Sequence, residues 1–489
     1  MDFHFQLYID GQFEPGAATF GSVSPATGKV WAHMPEARAE QVNRAVEAAH
    51  RALTDSAWAG LTASARGKLL YRLAGLVEKA APRLAEIETN DTGKIIRETS
   101  SQIAYVSEYY RYYAGIADKI EGSSIPVDKP DMQVWLERQP VGVVAAIVPW
   151  NSQLFLSAVK LGPALAAGCT VVLKASEEAP GPLLEFAKLV HEAGFPPGVV
   201  NVITGFGPEC GAVLSGHPKV DKVAFTGGPE TARHIVSNTS GNLAKVSLEL
   251  GGKSPFIVFA DSDIESAVNA QVAAIFAASG QSCVAGSRLL IEASVKAPFL
   301  ARLVERVSRI RVGSPNEMAT EYGPLCTERQ LRNIEKIVAS SVRQGATVLA
   351  GGQTLERDGY YYAPTILDCT GVSNADSITT ELFGPVLSVD TFSSEQEAIE
   401  KANSTAYGLA AGIFTASLTR AHRVSRRVRA GIVWINTYRA VSPLVPFGGF
   451  GLSGHGREGG ISAALEYTTT KSVWLRTSDE PISDPFVMR

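Results

Sequence analysis

From residue 141 onward, short runs of apolar residues alternate with stretches of helical periodicity: VGVVAAIV (141–148), CTVVLKAS (169–176), GVVNVITG (198–205), KVAFTG (222–227) and AKVSLELGG (244–252). Helices are expected after Pro149, from about Pro182, near 208–216 and near 229–239. A strand exposed on one face alternates polar and apolar residues, whereas a strand covered on both faces is apolar throughout. With helices between them, these runs predict βαβ units and a buried parallel sheet, a doubly wound domain whose ligands bind beyond the carboxyl ends of its strands. The alternation restarts after Gly252 with SPFIVFA (254–260), a helix from Asp263 to about Ala278, RLLIEA (288–293) and a helix near 297–308. A second α/β domain follows, and 489 residues are more than one hydrophobic core usually supports.

Residues 39–118 carry helical periodicity, with Val42, Ala45, Val46, Ala49 and Leu53 on one face. Asp10-Gly11 reads as a hairpin turn. The segment at 123–140 is Pro-rich and then alternating, like an exposed ribbon, and EYTTTKSVWLR (466–476) is a strand with no local partner. Two orphan strands predict edge pairing with each other or with another subunit.

Forty-five basic residues against 49 acidic ones give a net charge of −4, with no surplus to neutralise a phosphate backbone, so nucleic acid is not expected as a partner. The arginine cluster RAHRVSRRVR (420–429) has apolar residues at helical spacing and reads as a solvated helix face. The longest apolar run, 141–150, is about half a membrane crossing, and the N-terminus lacks a basic region followed by an apolar core. Cys169, Cys210, Cys283, Cys326 and Cys369 are odd in number and contain no C-x-x-C pair, so neither a disulfide framework nor a metal site is indicated. A reducing, cytoplasmic location is expected.

Chemistry-bearing residues gather at strand ends and turns. Cys283 lies in the small-residue run FAASGQSCVAGSR (276–288), which leaves room for a second molecule to reach a thiol nucleophile; the alternative is a small apolar filler. Asn151, in IVPWNSQ (147–153), puts an amide donor at the sheet's ligand edge, suited to an oxyanion or to a helix N-cap. Lys174 and Glu177 follow the next strand, and such a pair serves a ribose or stands as a solvated ion pair. Glu249 precedes two glycines among apolar neighbours, where desolvation favours the neutral acid and suits a general base. ELFGPVLSV (381–389) sets Glu381 and Phe383 before a buried strand. GFGPECG (205–211) has the spacing G-x-G-x-x-x-G, a weak fingerprint equally readable as a tight turn, and ELGGKS (249–254) fails as a P-loop because Ser247 stands where its first glycine is needed.

PWN, K-x-S-E, FTG, LELGGKSP, GQSC, ELFGPV and PFGGFGLSGHGRE (446–458), in this order, resemble the NAD(P)-dependent aldehyde dehydrogenase superfamily over nearly the whole chain. The resemblance implies an α/β fold with a Rossmann-type cofactor domain (1–120 and 141–251), an α/β catalytic domain (252–450) and a small β oligomerisation flap (121–140 and 465–489), assembled as a homodimer or homotetramer. It implies Cys283 as the nucleophile that forms a thiohemiacetal and then a thioester, Asn151 with the Cys283 N–H as the oxyanion hole, and Glu249 as the base that activates water. Cofactor contacts are implied at Ile147, Pro149, Trp150, Lys174, Ser176, Glu177, Gly207 and Gly211, and at Phe225, Thr226, Gly227, Gly228, Leu250, Gly251, Glu381 and Phe383.

Gly228, followed by Pro229, replaces the serine that many relatives have after FTG and removes one hydroxyl contact to the pyrophosphate. Glu177 opposes a 2′-phosphate and favours NAD, with NADP as the alternative. Ser152, Leu156 and Val159 stand where several aliphatic-aldehyde enzymes have aromatic residues, and Arg439 lies in a segment resembling the substrate entrance. These four predict a bulky or carboxylate-bearing aldehyde as substrate; an exposed rim arginine is the other reading of Arg439. Three rival functions remain: a cysteine-dependent hydrolase, a dehydrogenase that transfers its acyl group to coenzyme A, and a non-catalytic binding protein on the same fold. Glu249 argues for the free acid as product.

Overall fold

Val143–Ile147 is buried at every position, and parallel strands flank it on both sides. The computed structural model describes residues 4–372 and 374–487; the outermost residues of the predicted domain spans, 1–3 and 488–489, lie outside the described residues. The first sheet has eight strands, five of them parallel, in the order Lys245–Leu250, Lys222–Gly227, Val143–Ile147, Thr170–Ala175, Val200–Thr204. Its antiparallel edges are Gly454–His455 on one side and the hairpin Leu7–Ile9 with Gln12–Glu14 on the other. The hairpin turns at Asp10-Gly11, both with left-handed φ (52° and 77°), as a two-residue turn requires.

Successive side chains of a strand point to opposite faces, and both faces of this sheet are covered. Val144 and Ala146 join the core formed with helices Ala63–Thr92, Ile96–Ile116, Gln153–Ala167 and Gly181–Ala193. Val143, Ala145 and Ile147 join a second core with Ala39–Ala52 and Pro229–Asn238. Val42, Ala45, Val46 and Ala49 of the predicted apolar face are buried there with Leu53 packed partly buried beside them, and Val42 and Val46 each contribute about 1.5–3 kcal/mol when fully removed from water.

The second sheet has seven strands, in the order Thr347–Ala350, Thr365–Asp368, Val386–Phe392, Arg288–Glu292, Pro255–Val258, Ala410–Phe414, Ile432–Ile435, all parallel except the first pair. The two orphan strands find each other: Thr468–Arg476 pairs antiparallel with Met132–Pro140 from Thr468↔Pro140 to Arg476↔Met132, and Ser123–Ile125 adds a third strand. The arginine cluster forms the helix Leu418–Arg427, which buries Ala421 and Val424 while Arg423 pairs with Glu395 at 2.7 Å and Arg420 with Asp261 at 2.9 Å. Among the described residues, no helix is long and apolar enough to cross a membrane.

The helix predicted to run from Asp263 to about Ala278 stops at Phe276. Asp263 is its N-cap, accepting the Ser266 N–H at 2.8 Å, and Ala278 and Ser279 turn into the left-handed region (φ 52° and 53°). Non-glycine residues occupy that region at a cost of about 1–3 kcal/mol and persist where surrounding contacts fix them. Here the Glu98 carboxylate accepts the Ala278 N–H at 2.9 and 3.1 Å, and Ser279 Oγ donates to the Gly323 carbonyl at 2.8 Å. The bend carries the chain out of the helix and into Cys283.

Candidate active site

The parallel part of the first sheet starts at 143–147, runs outward through 170–175 and 200–204, then returns to the other side of 143–147 at 222–227. Chain direction therefore diverges between Val143–Ile147 and Lys222–Gly227, the position where doubly wound sheets open a crevice at their carboxyl edge. A cleft of about 1390 Å³ opens there and continues against the second sheet. Asn151, Glu249 and Cys283 all line it.

Asn151 does not cap the following helix; Ser152 is the N-cap residue of Gln153–Ala167. Instead Asn151 Nδ2 donates to the Gln281 carbonyl at 3.1 Å, which ties it to the loop of Cys283 and leaves a second N–H for a ligand oxygen. Gln281 is held in turn, its Oε1 accepting the Cys326 N–H at 2.8 Å. Cys283 is partly exposed to the cleft, whereas the other four cysteines are buried. Burial pushes its thiol up to about 12; the carboxylates of Glu381 and Glu249 act in the same direction, while Arg439 and the Val284 N–H oppose them. Burial and the neighbouring acids therefore both favour the thiol over the thiolate.

Glu249 is only 5% exposed, and both its carboxylate oxygens lack a hydrogen-bond partner among the described residues. Burial raises its pKa well above the ordinary carboxylate value, and the neighbouring Glu458 adds to the shift while Lys160 and Arg457 counter it. None of these three neighbours was singled out as a site residue from the sequence. Lys160 Nζ, fully buried, forms an ion pair with Glu458 and donates to Thr226 Oγ1 at 2.6 Å. The available signal was a lone lysine in the otherwise apolar helix LFLSAVKLGPALAA, since a buried cation needs a buried partner.

On the side of the first sheet, Pro149, Trp150, Thr226, Gly227, Gly228, Leu250 and Gly251 line the cleft together with Glu381 and Phe383. The Trp150 and Phe383 rings meet edge to face at 5.4 Å. Glu381 Oε1 accepts the Gly252 N–H at 2.9 Å; burial pushes this acid up to about 7, against the pull of that N–H and of Lys253. Lys174 Nζ and Glu177 Oε2 pair at 3.2 Å beyond the strand Thr170–Ala175, with Gly211 beside the lysine stem. Ser176 Oγ accepts the Glu178 N–H at 3.3 Å. Gly207 and Gly228 face open space, with nothing within 4 Å of where a Cβ would stand. The side chains of Ile147 and Phe225 belong to the sheet core, and neither residue lines the cleft.

Ser152, Leu156, Val159 and Arg439 line the other side of the cleft. Arg439 donates from one guanidinium nitrogen to the carbonyls of Ala273 (3.0 Å) and Ala277 (3.4 Å), and no carboxylate pairs with it among the described residues. Ser152 belongs to a polar cluster that sequence reading missed: Lys94 Nζ donates to Ser152 Oγ (3.1 Å), to Gln102 Oε1 (2.5 Å) and to Glu88 (3.2 Å). Ser152 Oγ passes the contact on by donating to the Asn151 carbonyl at 2.6 Å.

Residues 13–473 match the model of the aldehyde dehydrogenase family. The chain is 77% identical over 485 residues, 99% of both chains, to the (Z)-2-((N-methylformamido)methylene)-5-hydroxybutyrolactone dehydrogenase of Acinetobacter baylyi. It is 43% identical to the mitochondrial aldehyde dehydrogenase family 2 member B4 of Arabidopsis thaliana, over 96% of this chain and 88% of that one. A crystal structure of betaine aldehyde dehydrogenase from Staphylococcus aureus in complex with NAD+ superposes with a TM-score of 0.96 at 37% identity, covering 99% of this chain and 97% of that one. With a thiol, an amide and an unpartnered carboxylate on one cleft, and a family match spanning both sheets, the chain belongs to the aldehyde dehydrogenase family.

Proposed function

We propose that this protein oxidises a carboxylate-bearing aldehyde to the corresponding diacid with NAD. The observation that carries this reading is the convergence of Cys283, Asn151 and the unpartnered carboxylate of Glu249 on one cleft. Cys283 passes its thiol proton to solvent water and its Sγ adds to the aldehyde carbon, while the second Asn151 N–H, with the Cys283 N–H, stabilises the alkoxide of the thiohemiacetal so formed. After two-electron oxidation the acyl group remains on sulfur as a thioester. Glu249, which burial keeps basic, takes a proton from water as the water attacks that thioester and frees the acid and the thiol. A buried carboxylate of Glu249 without a partner among the described residues supports the free acid rather than an acyl-coenzyme A as product.

NAD, when bound, supplies the hydride acceptor that this conversion requires. The residues present suit it: Lys174 and Glu177 offer a donor and an acceptor to the adenosine ribose, Glu381 an acceptor to the second ribose, and Gly207 and Gly228 open space for the diphosphate. Trp150 and Phe383 form an aromatic wall beside it. Glu177 opposes a 2′-phosphate, which supports NAD over NADP.

Two observations support this substrate class. A 5-hydroxybutyrolactone, named in the relative that is 77% identical, is the ring-closed form of a short chain with an aldehyde at one end and a carboxylate at the other. Arg439, without a carboxylate partner on the cleft, is the group that receives the carboxylate, and Ser152, Leu156 and Val159 shape the channel. The protein works in the cytoplasm, in keeping with five free cysteines, and associates as a homodimer or homotetramer through the ribbon of 121–140 and 465–489, where Trp474 and Leu475 are exposed. Residues 1–120 and 141–251 form the NAD-binding domain and 252–450 the catalytic domain in this reading.

The test is the initial rate of NADH formation across carboxylate-bearing, aliphatic, aromatic and amino aldehydes, repeated with NADP and with Cys283→Ala. The expected result is highest kcat/KM on a semialdehyde with NAD, and loss of all turnover in the variant. Turnover that survives Cys283→Ala overturns the mechanism, and a preference for neutral aldehydes overturns the substrate class.

A further inference from the structure

After the strand Ile432–Ile435 the chain makes a bend in which Asn436 and Arg439 both take left-handed φ, 52° and 62°. The Asn436 amide fastens this bend to the end of the neighbouring strand: Oδ1 accepts the Thr415 N–H and Nδ2 donates to the Thr415 carbonyl, both at 3.0 Å. Two non-glycine residues in a sparsely populated region, held by a reciprocal pair of hydrogen bonds, mark a conformation that its surroundings impose.

The two consecutive residues at the end of this bend grip the Cys283 loop from opposite flanks. Arg439 holds the upstream flank through the carbonyls of Ala273 and Ala277, just before the left-handed turn at Ala278 and Ser279. Tyr438 holds the downstream flank, its hydroxyl donating to the Val284 carbonyl at 2.9 Å. Val284 directly follows Cys283, so this bond fixes the residue next to the sulfur-bearing one. The Tyr438 ring has little freedom to shift. It packs against Trp434 at 4.7 Å and Phe256 at 5.4 Å, and a Cβ on Gly412 would stand 2.7 Å from its Cδ2. A rigid ring whose one polar atom is committed to the loop transmits its position to that loop.

We infer that Tyr438 is a positioning residue for the nucleophile: its hydroxyl bond to Val284 fixes the loop in the arrangement that sets the Cys283 sulfur opposite Asn151. This rests on the reading of Cys283 as nucleophile. Reacting groups must be held to within about 0.5 Å of productive geometry, and small displacements cost rate rather than affinity. A neutral hydrogen bond contributes about 0.5–1.5 kcal/mol, which is roughly two- to tenfold in rate.

The test is Tyr438→Phe, which keeps the ring in its socket and removes only the hydroxyl. The readouts are kcat, both KM values, the NAD Kd, the melting midpoint, and the rate of Cys283 alkylation by iodoacetamide followed by mass spectrometry. The expected result is a kcat about tenfold lower. Cys283 alkylation is slower, KM and Kd stay within about twofold, and the melting midpoint stays close to wild type. Unchanged kcat and alkylation overturn the inference, as does a uniform loss of every parameter together with the melting midpoint, which marks a purely structural tyrosine. If the wild type turns over no aldehyde, the reading of Cys283 fails, while the alkylation rate still reports whether Tyr438 positions the thiol.

Discussion

Glu381 rests directly against Gly251: a Cβ on that glycine would stand 1.7 Å from Glu381 Oε2, while Oε1 accepts the N–H of Gly252 at 2.9 Å. The two glycines after Glu249 thus serve a carboxylate that arrives from the second sheet. Gly251→Ala is expected to displace Glu381, at an overpacking cost of about 1–3 kcal/mol, and to raise the KM for NAD by roughly tenfold or more. Steady-state kinetics with NAD varied at saturating aldehyde checks this, and an unchanged KM contradicts the assignment of Glu381 to the cofactor.

The same acid predicts a pH dependence of cofactor binding. Burial raises Glu381 to about 7, and only its ionised form can accept from both ribose hydroxyls. Binding therefore favours the carboxylate, so NAD affinity rises as pH climbs through about 7 and levels off above it. Calorimetric titration across that range should show the rise in wild type and a flat profile in Glu381→Gln. Lys253, whose buried ammonium is lowered to about 7, pulls the Glu381 pKa down. Lys253→Met is expected to move the midpoint of the rise to higher pH.

What the sequence reveals of this site depends on how far apart the partners lie along the chain. The strand ends carrying Asn151, Lys174, Glu177 and Glu249 are legible because each follows an apolar run that can only be a covered strand. The Lys160–Glu458 pair spans 298 positions, and nothing local to either residue points to the other. The end of the helix before Cys283 is hidden for a similar reason: apolar periodicity continues to Ala278, but the Glu98 carboxylate from a distant helix captures its N–H and breaks the helix early. The orphan strands at 132–140 and 468–476 are visible as strands, while their mutual register follows only from the fold.

Lys160 and Glu458 also carry a stability prediction. Removing one member of a buried ion pair leaves the other charge uncompensated, which costs about 3–5 kcal/mol. Glu458→Leu and Lys160→Met should each lower the denaturation midpoint accordingly, and the two together should recover much of the loss, because both charges then leave the core. Measuring the four proteins of this cycle by urea unfolding tests the coupling; equal midpoints in the single and double variants would show that the pair carries no such energy.

The proposed substrate class is tested at Arg439. One of its nitrogens is committed to the carbonyls of Ala273 and Ala277, and its remaining donors have no carboxylate partner among the described residues on the cleft that Cys283 faces. A charge-assisted hydrogen bond to a substrate carboxylate contributes about 1.5–3 kcal/mol, roughly ten- to a hundredfold in kcat/KM. Arg439→Gln also weakens the hold on the loop, but that effect falls equally on every aldehyde. The ratio of kcat/KM for a semialdehyde to that for a neutral aldehyde of equal length removes it. The ratio is expected to fall by at least tenfold in Arg439→Gln, largely through KM of the semialdehyde. A ratio equal to that of wild type would return Arg439 to a structural tie at the helix end and leave carboxylate recognition to the Lys94, Gln102 and Ser152 cluster on the same cleft.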